Sequence, residues 1–265
     1  IARYNLIKDW CFAHDIKSVM IAHHQLDQAE TFFLRLHRGS GLEGLCGMSA
    51  VSNFCGLQIL RPFLQTPPEK LKEFLRKRKI EWVEDSSNHN EDFLRVKIRK
   101  FLPILQQKTG IDAAKIVKTM ETLARSHAYI ENRTENFIKN HCKIVADNIL
   151  CVSAKTLEQT HEEICFHFLV FACKKIGGHI YAPRAEDVLR LQQNLGEKIF
   201  SGCTLGGCEI FMSRDKLWII PEAKQLPMPT KKEWQDFLST HQVWQNQFLP
   251  GKVRRIIFHV CGEQL

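Results

Sequence analysis

Ser18-Val19-Met20-Ile21-Ala22-His23-His24-Gln25-Leu26-Asp27-Gln28-Ala29-Glu30-Thr31 is the stretch whose reading decides the fold. Its first five residues form a short, mainly apolar run of the kind that fits a parallel strand buried on both faces. From about Asp27 to Arg38 the pattern becomes helical, with Gly39 as the C-terminal cap. Residues 23–31 therefore sit where a strand ends and a helix begins, the place where ligands collect in open α/β sheets. Asp27 and Glu30, three apart, share one helix face in the first turn, and the helix dipole favours their ionised forms. Two carboxylates on one face suit a cation such as an amine or a magnesium ion. The same Asp-x-x-Glu spacing is also a plain capping box, and the residues alone leave both readings open. His23 and His24 read first as packing and hydrogen-bonding residues.

Outward from this stretch the first 65 residues alternate α and β. A helix over roughly 3–14 precedes the strand; glycines 39, 41, 44, 47 and 56 make a turn-rich excursion; and Leu57-Gln58-Ile59-Leu60 is a second strand, ended by Arg61-Pro62. Residues 66–145 turn helical. Thr66 with Glu69 resembles a capping box opening a helix to Lys79, and 91–105 and 112–141 predict two more. Residues 146–265 are mixed. They hold an apolar helix over 157–176 capped by Gly177-Gly178, a polar helix over 185–195, and strands at 208–212, 217–220 and 253–259.

Composition bounds the function. With 44% hydrophobic and 25% charged residues in 265, the chain is globular rather than disordered. The longest apolar run, Ile164 to Cys173 with His167 inside it, is about half of the ~20 residues a membrane helix needs, so a soluble protein without a membrane partner is expected. Ten scattered cysteines without a secretory leader predict reduced thiols and a cytoplasmic protein. Cys203 and Cys208 lack a second pair at metal-ligand spacing and read as buried thiols flanking a glycine turn. A net charge of +8 favours polyanions. Between Lys70 and Lys100 ten Lys and Arg face six acids. Arg76, Lys77 and Arg78 point around a helix, whereas Arg95 and Arg99, at i and i+4, predict a phosphate clamp, with Lys97 between them.

Continued through Phe32-Phe33-Leu34-Arg35-Leu36-His37-Arg38-Gly39-Ser40-Gly41-Leu42-Glu43-Gly44-Leu45, the opening stretch resembles the second signature of the tRNA(Ile)-lysidine synthetases. Leu60-Arg61-Pro62-Phe63-Leu64, then Trp82 to Asn88, then Arg95 to Pro103 resemble later landmarks of that family in order, and Thr204-Leu205-Gly206-Gly207-Cys208 resembles a glycine turn near its C-terminus. The resemblance implies a Rossmann-like α/β domain of the adenine nucleotide alpha hydrolase type over 1–65, a helical tRNA-contacting segment over 66–145 and a smaller mixed α+β region over 146–265. It further implies ATP, with Mg2+, as cofactor, and free lysine and tRNA(Ile) as partners, and it allows a homodimer. The implied reaction is ligation of lysine to C2 of the wobble cytidine through an adenylated tRNA.

On this resemblance Asp27 and Glu30 bind lysine and act catalytically, Arg38 offsets phosphate charge, and His23 and His24 lie near the nucleotide. Arg76, Lys77, Arg78, Arg95, Lys97 and Arg99 contact tRNA. Leu26 stands where the family carries the first of two aspartates, so no metal site is expected, and Ser86 and Val96 depart from a common Pro and Asn. The family's Ser-Gly-Gly-x-Asp-Ser ATP loop is not found in these 265 residues. An amino-terminally incomplete copy, inactive by itself, is the corresponding expectation. Two other readings stay open: a tRNA-binding module without catalysis, and a thiolase-like enzyme of the same superfamily, against which the lack of Cys-x-x-Cys counts.

Overall fold

The parallel pair expected from the opening stretch is present in the computed structural model, which describes residues 2–83, 92–145, 148–178, 182–197, 200, 202–222, 231–240, 250–253 and 256–257. The chain divides into two units, Ile1–Ala128 and Tyr129–Leu265.

In the first unit, α1 (Ala2–Ala13) leads into β1 (Ser18–Met20), which runs parallel to β3 (Leu57–Leu60) with Val19 opposite Ile59. Leu57 and Ile59 are buried while Gln58 faces out, the period-2 pattern of a half-buried strand. β1 departs from expectation. It is the first strand of a three-stranded sheet of order β1-β3-β2, with Val19 half-buried and Met20 73% exposed, so it is not buried on both faces within these residues. The glycine-rich excursion hides a strand that the sequence did not announce. β2 (Val51–Phe54) pairs antiparallel with β3 across Cys55-Gly56, both at positive φ (49° and 88°), the backbone of a two-residue hairpin turn.

Helices follow in the expected places with altered ends. α2 (Gln25–His37) begins two residues before Asp27, and α3 (Leu42–Leu45) is a single turn. α4 (Pro68–Lys77) is not opened by a Thr66–Glu69 box: its N-cap is Pro67, no side chain caps it, and the prolines preset the first turn. α5 (Leu94–Thr109) and α6 (Ala113–His141) follow, and Ala29 of α2 packs with Ile98, Leu102, Ile116, Val117 and Met120 in a core between them. The expected helix start at Glu91 and the landmark residues Glu84 to Asn88 lie outside the described residues.

The second unit is built on an antiparallel sheet of order β4-β5-β8-β7-β6: β4 (Cys142–Val145), β5 (Ile149–Ser153), β8 (Lys216–Pro221), β7 (Cys208–Met212) and β6 (Cys203–Leu205). The helix expected over 157–176 is two, α7 (Ala154–Glu158) and α8 (Glu162–Gly177). The break comes at His161, which N-caps α8 by accepting the Glu163 N–H at 3.1 Å. Phe168, Leu169 and Ala172 of α8 are fully buried in one cluster with Leu150, Ile210 and Ile219 of the sheet. The last turn of α8 meets the β6–β7 turn so closely that a Cβ on Gly177 would sit 1.8 Å from the Gly206 carbonyl oxygen. α9 (Ala185–Leu195) matches its expectation, and α10 (Lys231–Thr240) follows. The run at 253–259 is not extended where it is described: 251–253 and 256–257 are helical.

A cavity of about 750 Å³ opens among α7, α8 and α9. Its lining includes Leu157, Leu195 and Phe200 together with Glu158, Glu162, Glu197 and Asp215, and among the described residues no Lys or Arg. Nine cysteines among the described residues are free thiols. Burial pushes the Cys142 thiol up to about 12 and that of Cys165 up to about 11, so neither is a thiolate near neutral pH. Among the described residues no helix is long and apolar enough to cross a membrane.

Candidate functional site

The chain leaves β1 through His23 and turns into α2 at His24, whose extended backbone (φ −125°) makes it the N-cap. The capping box expected from Asp27 and Glu30 is displaced by one turn. The His24 N–H donates to Asp27 Oδ2 at 2.9 Å while the His24 ring accepts the Asp27 N–H at 3.4 Å. Asp27 is thus the third residue of the box, and Glu30 is released from any capping role.

Glu30 is instead taken by α5. Its side chain is 0% exposed, and Arg95 Nε donates to one carboxylate oxygen and Arg99 Nε to the other, both at 2.6 Å. Arg95 Nη2 also donates to Asp27 Oδ1 at 2.9 Å, so one guanidinium bridges both acids. The arrangement follows from spacing: carboxylates at i and i+3 on α2 face arginines at i and i+4 on α5, and both pairs repeat at about one helical turn. Charge-assisted bonds of this kind are roughly twice as strong as neutral ones, and the bond to Glu30 raises Arg99 above its ordinary value. Beside this network Gln28 clasps the glycine-rich excursion, donating to the Met48 carbonyl at 2.8 Å and accepting the Met48 N–H at 2.9 Å.

The expected site residues are therefore sorted rather than gathered. Asp27, Glu30, His24, Arg95 and Arg99 form one cluster at the carboxyl end of β1. Arg95 and Arg99 turn inward on carboxylates instead of forming a clamp free for phosphate, although about a third of each side chain still meets solvent (38% and 33%). Glu30, as a fully enclosed group with both oxygens engaged, cannot meet a lysine ammonium unless an arginine lets go. Arg38 caps the far end of α2, roughly 16 Å along the axis from Asp27 at 1.5 Å per residue, and is exposed. Arg76, Lys77, Arg78 and Lys97 are all exposed. Among the described residues no group of three or more His, Cys, Asp or Glu could hold a metal ion, and the two acids of this cluster already serve guanidiniums, so they do not fit a magnesium site.

His23 stands at the strand end with a buried Nδ1 that has no hydrogen-bond partner. Burial lowers its pKa from the ordinary 6.5; Asp27 opposes this, and Arg61, Arg95 and Arg3 reinforce it. A histidine held neutral in the fold contributes stability that is present above its unfolded pKa and is lost as pH falls through that value toward the folded one. Thermal denaturation should therefore show the wild-type melting temperature falling more steeply than that of His23→Asn as pH is lowered from 7.5 to below about 6.5. Parallel curves for the two proteins would remove His23 from this account.

Residues 1–105 match the PP-loop domain family. The chain is 30% identical over 247 residues to a tRNA(Ile)-lysidine synthase of Wolbachia pipientis wMel, covering 90% of this chain and 57% of that protein. It is 32% identical over 209 residues to the enzyme of that name from Ruegeria pomeroyi (79% and 49%), and 43% identical over 109 residues to that from Buchnera aphidicola (41% and 24%). The chain thus spans about half the length of the first two of these relatives.

Proposed function

From a chain that carries a PP-loop domain and is a homologue of the tRNA(Ile)-lysidine synthases, we infer a part in the ATP-dependent attachment of lysine to C2 of the wobble cytidine of tRNA(Ile). The observation that supports this most directly is the carboxylate–arginine cluster at the end of the parallel pair, inside the region that matches the PP-loop family. In the reaction the cytidine O2 forms a bond to the α-phosphorus of ATP and pyrophosphate leaves. The lysine ε-nitrogen then bonds to C2 as the C2–O2 bond breaks and AMP departs. With an ordinary pKa of ~10.4, that amine must shed a proton before it attacks.

Asp27 is the residue proposed to take that proton. It is the more accessible of the two acids, and its Oδ1 bond to Arg95 is the one contact that an incoming ammonium can replace without unpairing Glu30. Glu30 holds Arg95 and Arg99 in place, and Arg95, freed from Asp27, faces developing negative charge on the departing phosphate. No step is assigned to a metal ion. A sulfur-transfer reading is disfavoured by the lack of a Cys-x-x-Cys pair in the sequence.

Asp27→Asn is the decisive variant. Asn still accepts the His24 N–H, so the cap should persist, while its NH2 group cannot accept from Arg95, so a modest fall in melting temperature is expected with Arg95 still held by Glu30. In a full-length version of the protein, loss of the base and ammonium partner should raise KM for lysine or lower kcat by about 100-fold in tRNA(Ile)-dependent incorporation of radiolabelled lysine. Unchanged lysine kinetics would leave Asp27 as a helix cap only.

A further inference from the structure

α4 carries a strongly two-sided sequence, yet none of its residues is buried. Its end is a tight reversal: the Ile80 N–H donates to the Leu75 carbonyl at 3.0 Å and the Lys79 N–H to that of Arg76 at 3.0 Å, with Lys79 at φ +52° in the position usually given to glycine. The reversal brings Trp82 back over the helix, where Arg76 Cζ lies 5.6 Å and Lys72 Nζ 5.9 Å from the centre of its ring. On the opposite side of the helix, two positions round from Arg76, Arg78 Cζ lies 4.5 Å from the centre of Phe74. Phe74 is 53% exposed and Trp82 37%. Between residues 70 and 79 there are six Lys or Arg, and a single acid, Glu73, which pairs with Lys77 at 2.8 Å.

A solvated helical face needs charges but has no use for exposed aromatic rings, and a surface that only gripped duplex phosphates would need the charges alone. Aromatic rings beside guanidiniums are the combination that holds unpaired bases, each base stacking on a ring while the cations take its phosphates. We propose that Trp82, framed by Lys72 and Arg76, forms a stacking site for an unpaired nucleotide of an RNA loop. The proposal rests on the reading of the chain as a tRNA-modifying protein and adds to it a preference for single-stranded RNA and the residues that confer it.

The test is fluorescence anisotropy of the full chain with a short labelled oligoadenylate, a blunt RNA duplex of equal length, and tRNA(Ile). Trp82→Ala should weaken oligoadenylate binding about tenfold and leave the duplex affinity and the salt slope unchanged. Trp82→Phe, which keeps a ring, should stay within about twofold of wild type. Arg76→Gln should instead flatten the salt dependence by about 0.7 in slope. Equal losses on single strand and duplex, or failure of Phe to restore binding, would overturn the stacking site. Undiminished oligoadenylate affinity in Trp82→Ala with tRNA still bound would overturn the stacking site and leave the tRNA reading standing. A wild-type chain that bound none of the three RNAs would overturn both.

Discussion

Glu30→Ala is expected to destabilise the first unit by about 3 kcal/mol, lowering its melting temperature by roughly 10–20 °C. The carboxylate is fully enclosed and accepts from two guanidiniums, so its removal takes the shared anion from two cations one turn apart on α5, with Asp27 still accepting from Arg95. Breaking a buried pair by deleting one partner usually costs about 3–5 kcal/mol, and the lower end applies here because a third of each arginine already meets water and can rehydrate. Arg99→Met should be milder. It deletes a cation while Arg95 still serves Glu30, and it keeps the aliphatic bulk of the side chain. Urea titration followed by circular dichroism checks the order, and a Glu30→Ala protein as stable as Arg99→Met would show that the network contributes little to the fold.

Gly177→Ala is expected to disrupt the second unit by about 3 kcal/mol, at the top of the usual range for overpacking. The new methyl would meet a backbone oxygen at 1.8 Å, and backbone cannot swing aside as the end of a side chain can. Relief requires either α8 or the Gly206-Gly207 turn to move, and both are fixed: α8 by Phe168 and Leu169 in the core, the turn by the pairing of Leu205 with Cys208. A thermal melt of Gly177→Ala set beside Gly178→Ala separates packing from backbone strain. Gly178, at φ +68°, has open space around it and should show only the smaller cost of a left-handed alanine, about 1 kcal/mol.

Local patterns carried much of the first unit. β1, α2 and β3 were legible because an apolar run, a helical period and an Arg-Pro stop each act within a few residues. β2 was not, since its turn is Cys55-Gly56 rather than an Asn-Gly pair, and the surrounding glycines suggested a loop. In the second unit Leu157 and Ile164 continue one apolar period across Thr160-His161, so two helices looked like one; only the cap made by His161 separates them. The candidate site was half legible. Asp27 and Glu30 could be placed on one helix face from spacing alone, but their partners lie 65–69 residues away among 37 basic side chains. The i, i+4 spacing singles out Arg95 and Arg99 as a pair on one face but gives them phosphate as a partner, and no local signal joins them to Asp27 and Glu30. Their inward turn is decided by the packing of α5 on α2, through Ala29, Ile98 and Leu102.

The cavity among α7, α8 and α9 concentrates negative charge in a basic chain. Four carboxylates line its opening, and among the described residues no lysine or arginine does. If the chain binds tRNA as proposed, a phosphate chain would be repelled at this part of the second unit and drawn to the exposed cations of the first, such as Arg76, Lys77 and Arg78. Such a repulsion would bear on encounter rates more than on affinity. Its effect would be felt as a faster search at low ionic strength, fading as salt brings the screening length below about 8 Å.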